Sequence, residues 1–196
     1  HLHCDIIGRS GGRSATAAAA YRATCKIEDR TTGEIFDFSR KEKAVFAEIF
    51  TNGNVPEWAT DRAEFWNRVE EKENRKNSQF CRSFDIALMK EFDLETNIKL
   101  VKKWAKDNYV NRGLVADICI HAPHKNTDGT TNENIHAHIL IPTRKINSDG
   151  WTEKDREAND RNFLMQIRTS WTDIVNAEFK RRGMSERIDE RTLEAQ

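Results

Sequence analysis

An α+β domain, with a central antiparallel β-sheet flanked by helices, is the fold class predicted by three features of this 196-residue sequence. Short apolar runs with two-residue alternation are interspersed with stretches of helical period. Two of the apolar runs, residues 115–121 and 135–141, are joined by a polar segment, which favours antiparallel pairing over a helical crossover. With only three Pro and no Ser/Gly linker to divide the chain, a single domain over residues 1–196 is expected.

Taken in order, residues 2–7 alternate well enough for a first strand, and the glycine loop 8–14 follows. Ser14 is the expected N-cap of an Ala-rich helix reaching about residue 25. Residues 26–28 and 34–38 flank a turn with Gly33 and read as a hairpin, with residues 43–50 as its extension. Ala63, Trp66 and Val69 mark a helix over 60–76. In the strand 80–88, Phe84, Ile86 and Leu88 share one face, while Cys81, Ser83, Asp85 and Ala87 share the other. Ile98, Val101, Trp104 and Ala105 predict a helix over 98–109. After the strands 115–121 and 135–141, seven apolar residues from Phe163 to Phe179 predict a long helix over 157–182.

Composition removes several classes. The chain is polar, with a mean hydropathy of −0.79, yet five Trp and ten Phe are too many for a disordered one. No apolar run approaches the roughly 18 residues of a membrane span, so no membrane insertion is expected. Four scattered Cys without a CxxC pair suit free thiols in a reducing, cytoplasmic setting. Basic and acidic residues number 32 each, so the net charge is zero and argues against a broad electrostatic grip on nucleic acid. The zero is nonetheless a cancellation. Residues 1–26 hold Arg9, Arg13, Arg22 and Lys26 against Asp5, whereas residues 57–73 carry six acids against three bases.

His136 and His138 are the strongest chemical signal, because residues two apart on a strand project from one face. His121 ends the preceding apolar strand and would return beside them across the polar loop. Three neutral imidazoles with open coordination positions make a catalytic type of metal site. By affinity order they hold Zn, Ni or Cu most tightly. His124 is an alternate donor, and His1 and His3 repeat the spacing at the chain start. Tyr21 is the second signal, the one large polar-tipped group on an Ala-rich turn; on sequence alone a packed tyrosine competes with a functional one. Tyr109 is assigned to packing. Arg9 and Arg13 flank glycines whose N–H groups open the first helix, an arrangement suited to phosphate.

In this order, the glycine loop with its Ala-rich helix to Arg22, the hairpin 32–38, the helix 61–70, residues 73–79, the His136/His138 strand, Trp171 and residues 187–196 resemble the N-terminal nicking domain of MobA/MobL-type (MOBQ class) conjugative relaxases, within the HUH endonucleases. The resemblance implies a palm-like HUH fold at the N-terminal part of a longer protein. It implies site- and strand-specific nicking of single-stranded DNA at a plasmid or integrative-element transfer origin, with Tyr21 as nucleophile. The product would be a 5′-phosphotyrosyl link and a free 3′-OH. His121, His136 and His138 would hold one divalent ion, with Mg or Mn as the working metal. Accessory relaxosome proteins and a type IV secretion coupling protein are the implied partners. The strand at 80–88 departs from the family pattern, with Ser83 in place of a first carboxylate and Asp85 keeping the second. Asp85 is therefore a candidate base near Tyr21, or the residue that orients a ligand His. Ile135 and Met89 stand where the family often has Pro. Arg144, Lys145 and the basic run 180–182 are candidate backbone-phosphate contacts, and Trp58 and Trp151 candidate base-stacking groups. A rolling-circle replication initiator, a non-catalytic DNA-binding module with a structural metal site, and a water-using metallohydrolase are the competing readings.

Overall fold

A computed structural model describes residues 1–125, 131–132 and 135–190, with backbone alone at 124, 125, 131 and 132. The middle of the expected polar loop and the side chain of His124 lie outside the described residues. In chain order, β1 (Leu2–Gly8) leads through a short turn into α1 (Ala15–Arg22), then β2 (Lys26–Glu28), β3 (Ile35–Asp37) and β4 (Phe46–Phe50). There follow α2 (Arg62–Lys72), β5 (Gln79–Ala87), α3 (Leu94–Asn108), β6 (Ala116–His121), β7 (His124–Lys125) and β8 (Thr131–Asn132). The chain continues through β9 (His136–Pro142), β10 (Arg144–Asn147), β11 (Gly150–Lys154) and α4 (Arg161–Arg181).

The central sheet runs β1-β5-β9-β6-β4, antiparallel at every junction, as expected. Alternation along these strands divides the sheet into two unlike faces. Phe84, Ile86, Ile118, Ile120, Ala137, Ile139 and Ile141 point to one side, where Leu100, Val101 and Trp104 of α3 and Ile167, Trp171 and Val175 of α4 cover them. On the other side Ile7, Cys81 and Leu140 lie beneath Ala15, Ala19 and Ala20 of α1 and Phe65, Trp66 and Val69 of α2. Tyr109 is buried in the first core, as assigned from sequence. Phe163 joins it. Alanine without a side-chain shell lets α1 lie close to the sheet, and three of its alanines have no exposed surface.

One expectation is corrected here. Residues 43–50 do not extend the β2–β3 hairpin: β4 crosses to the far edge of the main sheet and pairs with β6, from Phe46 with Ile120 to Phe50 with Ala116. Apolar groups on both of its sides explain this, since Phe46 and Phe50 reach the α3–α4 core while Ile49 reaches the other. The β10–β11 hairpin was not anticipated, although Asp149-Gly150 is a hairpin turn signal and Gly150 takes φ 112°.

The polar anchor of the α2 side is Asp117, buried in the middle of the sheet face. It accepts from the Arg62 guanidinium at 2.9–3.1 Å and from Trp66 Nε1 at 2.8 Å. Removing one partner of such a pair leaves the other charge buried and unmatched, at a cost of about 3–5 kcal/mol. Asp117→Ala should lower the urea-unfolding free energy by about that amount; a loss below about 1 kcal/mol would contradict this role.

Candidate active site

The sheet register assembles the imidazoles. His138 lies between Asp85 on one neighbouring strand and Cys119 on the other, and His136 lies between Ala87 and His121. All of these residues share the α1 face, at one end of the sheet. Ring centroids are 4.8 Å apart for His136 and His138, 5.2 Å for His121 and His138, and 5.7 Å for His121 and His136. Asp85 makes a close contact through Oδ1 with Nδ1 of His138. That hydrogen bond is the main reason its carboxyl is held below the ordinary carboxylate value, against a desolvation that pushes it up. It also fixes the His138 ring and leaves Nε2 as the nitrogen facing away from Asp85.

α1 links this end of the sheet to Tyr21. It runs back over the sheet from the Gly8 end, so its last turn arrives at the histidines. Nε2 of His121 is 2.7 Å from the carbonyl oxygen of Arg22, the residue after Tyr21. The Arg22 guanidinium donates to Ser83 Oγ at 2.8 Å, so this serine has a partner from α1. Tyr21 is 46% exposed, with its ring edge-on to Phe38 at 5.2 Å between centroids. The structure thus gathers Tyr21, Arg22, Asp85, His121, His136 and His138 at one end of one face.

The N-terminus of α1 corrects a sequence expectation. Its amides are not open to phosphate: Glu70, buried on α2, accepts from Ala15 N at 2.6 Å, Thr16 N at 3.2 Å and Ser14 Oγ at 2.9 Å. Ser14 itself caps Ala17 N, as anticipated. A carboxylate therefore occupies the position that the dipole and the free N–H groups would offer to an anion. The signal was legible in part, because Glu70 falls on the same helical stripe as Trp66 and Val69.

The candidate DNA-contact residues divide into two groups. Arg9, Arg13 and Arg22 line a groove of about 650 Å³ that follows α1 and includes Ala17, Tyr21 and Phe36. Within it Arg9 donates to the Glu70 and Glu73 carbonyls, and Arg13 pairs closely with Asp5. Arg144 and Lys145 follow the opposite end of β9 from the histidines. They pair with Glu73 at 3.0 Å and Glu153 at 3.2 Å, and the structure does not bring them to the Tyr21 end. Trp58 and Trp151 pack against each other and Phe65, with centroid separations of 5.5–6.4 Å.

The histidine set suits a divalent ion. Metal–nitrogen bonds near 2.1 Å put the ring centres of imidazoles around one ion roughly 5 Å apart, the spacing seen here. Among the described residues no three donors already stand arranged around a common point. Nε2 of His121 contacts the Arg22 carbonyl.

The chain has relatives among known proteins. It shares its fold with a conjugative relaxase: the copper-bound structure of the relaxase TrwC in complex with oriT DNA superposes with a TM-score of 0.58 at 13% identity, covering 93% of this chain and 71% of that one. The chain belongs to the MobA/MobL family, whose model matches residues 13–196. The mobilization protein MobL of Acidithiobacillus ferridurans is 33% identical over 98% of this chain and 57% of its own length. A protein solved in work on the molecular basis of vancomycin-resistance transfer in Staphylococcus aureus is 30% identical with a TM-score of 0.85, over 98% of both chains. The chain spans little more than half the length of the MobL relative and less of others, such as 20% of the conjugal transfer protein TraA of Agrobacterium fabrum.

Replacing Glu70 by Ala should leave two α1 amides unmatched and cost about 2 kcal/mol or more. Hydrogen exchange at residues 15–20 should accelerate with it. Unchanged exchange there would show that Glu70 does not hold the helix.

Proposed function

We propose that residues 1–196 are the nicking domain of a conjugative relaxase, which cuts single-stranded DNA at a transfer origin through Tyr21. The observation that carries the reading is the Arg22–His121 contact, which ties the peptide beside the tyrosine to the histidine cluster. Family membership and the fold shared with a DNA-bound relaxase support it.

In this mechanism Tyr21 Oη attacks the scissile phosphorus and the bond to the 3′ oxygen breaks. The tyrosine proton leaves to a base or water, and the departing oxygen takes one up to become the free 3′-OH. One phosphodiester replaces another, so the step is near balance and reversible without a nucleotide cofactor. His121, His136 and His138 would hold a divalent ion, Mg or Mn in function, supplying positive charge to the non-bridging oxygens. His121, which contacts the Arg22 carbonyl, would be one of the three residues holding the ion. Asp85, held ionised by its contact with His138, serves better to orient that ring than to take the phenol proton, because a carboxylate of lowered basicity is a poor base. Arg22 and the groove along α1 would carry the strand toward Tyr21. Relaxosome proteins and a secretion coupling protein would act with the full-length protein in the cytoplasm. Among the described residues no helix is long and apolar enough to cross a membrane.

Incubation with transfer-origin oligonucleotides and Mn or Mg should give a covalent protein–DNA species and a free 3′-OH fragment. Tyr21→Phe should abolish both while still binding the DNA. Free 5′-phosphate ends with no protein attached would instead indicate a water-using hydrolase. By calorimetry, His136→Ala should abolish tight divalent-metal binding, and Asp85→Ala should weaken it about 10–100-fold; wild-type affinity in both variants would remove the metal from the account.

A further inference from the structure

The cations around Tyr21 are unequally committed. Arg9 is held by backbone carbonyls, Arg13 by Asp5, and Arg30 by Glu64 and Glu71. Arg22 donates to Ser83 and to the Ala18 carbonyl. Lys41 differs. Its ammonium lies 4.2 Å from the centroid of the Tyr21 ring and 5.5 Å from that of Phe38. Among the described residues it has no carboxylate partner.

The loop that brings it there is fastened at both ends. Phe38 N donates to the Cys25 carbonyl at 3.1 Å, and Lys41 N donates back to Phe38 O at 3.0 Å. Ala44 N donates to Thr24 Oγ1 at 3.1 Å, and Val45 N donates to Ile120 O at 2.8 Å on β6. Thr24 is the one described non-glycine residue with positive φ, 49°, a conformation unfavourable for a β-branched side chain. It lies where α1 ends, and its hydroxyl is what seats the 38–45 loop against Tyr21. The same turn thus terminates the helix that carries the tyrosine and positions the lysine.

We propose that Lys41 contacts the phosphate presented to Tyr21, with Phe38 and the lysine stem walling the phenol ring. This rests on the nickase reading of Tyr21. The ammonium is strongly hydrated and attracted to the ring face, which holds it near the hydroxyl without a neutralising acid. A phosphate group in reach of the hydroxyl spans the gap to Nζ. As attack proceeds, negative charge grows on the non-bridging oxygens, and a cation already in place stabilises it more than it stabilises the ground state. The assignment accounts for a lysine held over the Tyr21 ring with no acid beside it, whereas Arg9, Arg13 and Arg30 are bonded internally.

The experiment compares Lys41→Met and Lys41→Arg with wild type in single-turnover nicking of a transfer-origin oligonucleotide at saturating DNA. Affinity is read separately on a Tyr21→Phe background. Methionine keeps an apolar group over the ring but removes the charge, so the nicking rate should fall about 10–100-fold, with a smaller loss of affinity and unchanged thermal melting. Arginine should recover most of the rate. A Lys41→Met protein that nicks as fast as wild type overturns the proposal, as does equal loss in both variants accompanied by lower melting, the mark of a packing role. Absence of any covalent adduct from the wild-type chain would instead overturn the nickase reading itself.

Discussion

The carboxylate of Glu70 at the start of α1 is the interaction on which the site depends. α1 has only eight residues, too few to stand alone in water. Its position is set from outside: Glu70 holds the first amides, three alanines press on the sheet, and Arg22 fastens the last turn to His121 and Ser83. Because the helix is short and pinned at both ends, the place of Tyr21, next in the chain to the Arg22 that contacts His121, follows from the place of α2. Glu73, three residues on, extends the arrangement by binding Arg144 and Lys154. The acidic helix is therefore an internal scaffold at its buried face, with Glu64 and Glu71 left to pair with Arg30.

This changes the meaning of a net charge of zero. Much of the positive charge near the groove is matched or hydrogen-bonded within the fold, so little of it is free for diffuse attraction to phosphate. In the proposed reading the positive groups act through position. Arg22 and Lys41, neither paired with an acid among the described residues, flank Tyr21 from the sheet side and the loop side.

The sheet was readable in advance because its strands alternate cleanly. The parity of residues 135–141 was enough to put His136 and His138 on one face and the isoleucines on the other, and residues 80–88 placed Asp85 and Ser83 the same way. β4 escaped because it has apolar groups on both faces and follows a hairpin, so local pattern could not say which neighbour it joins. The start of α1 misled for a different reason: its sequence advertises free amides after the glycine loop, but the carboxylate that accepts from Ala15 and Thr16 lies 54–55 residues away. Lys41 carried no signal at all, since a lysine in a basic loop acquires meaning only when Tyr21 is seen beneath it.

The most direct measurement of the central claim is to trap the covalent protein–DNA species, digest it with trypsin and find the modified peptide by mass spectrometry. The account places the nucleotide adduct on the fragment of residues 14–22, at Tyr21. An adduct on the fragment of residues 107–112, which carries Tyr109, or on any other side chain, would contradict it.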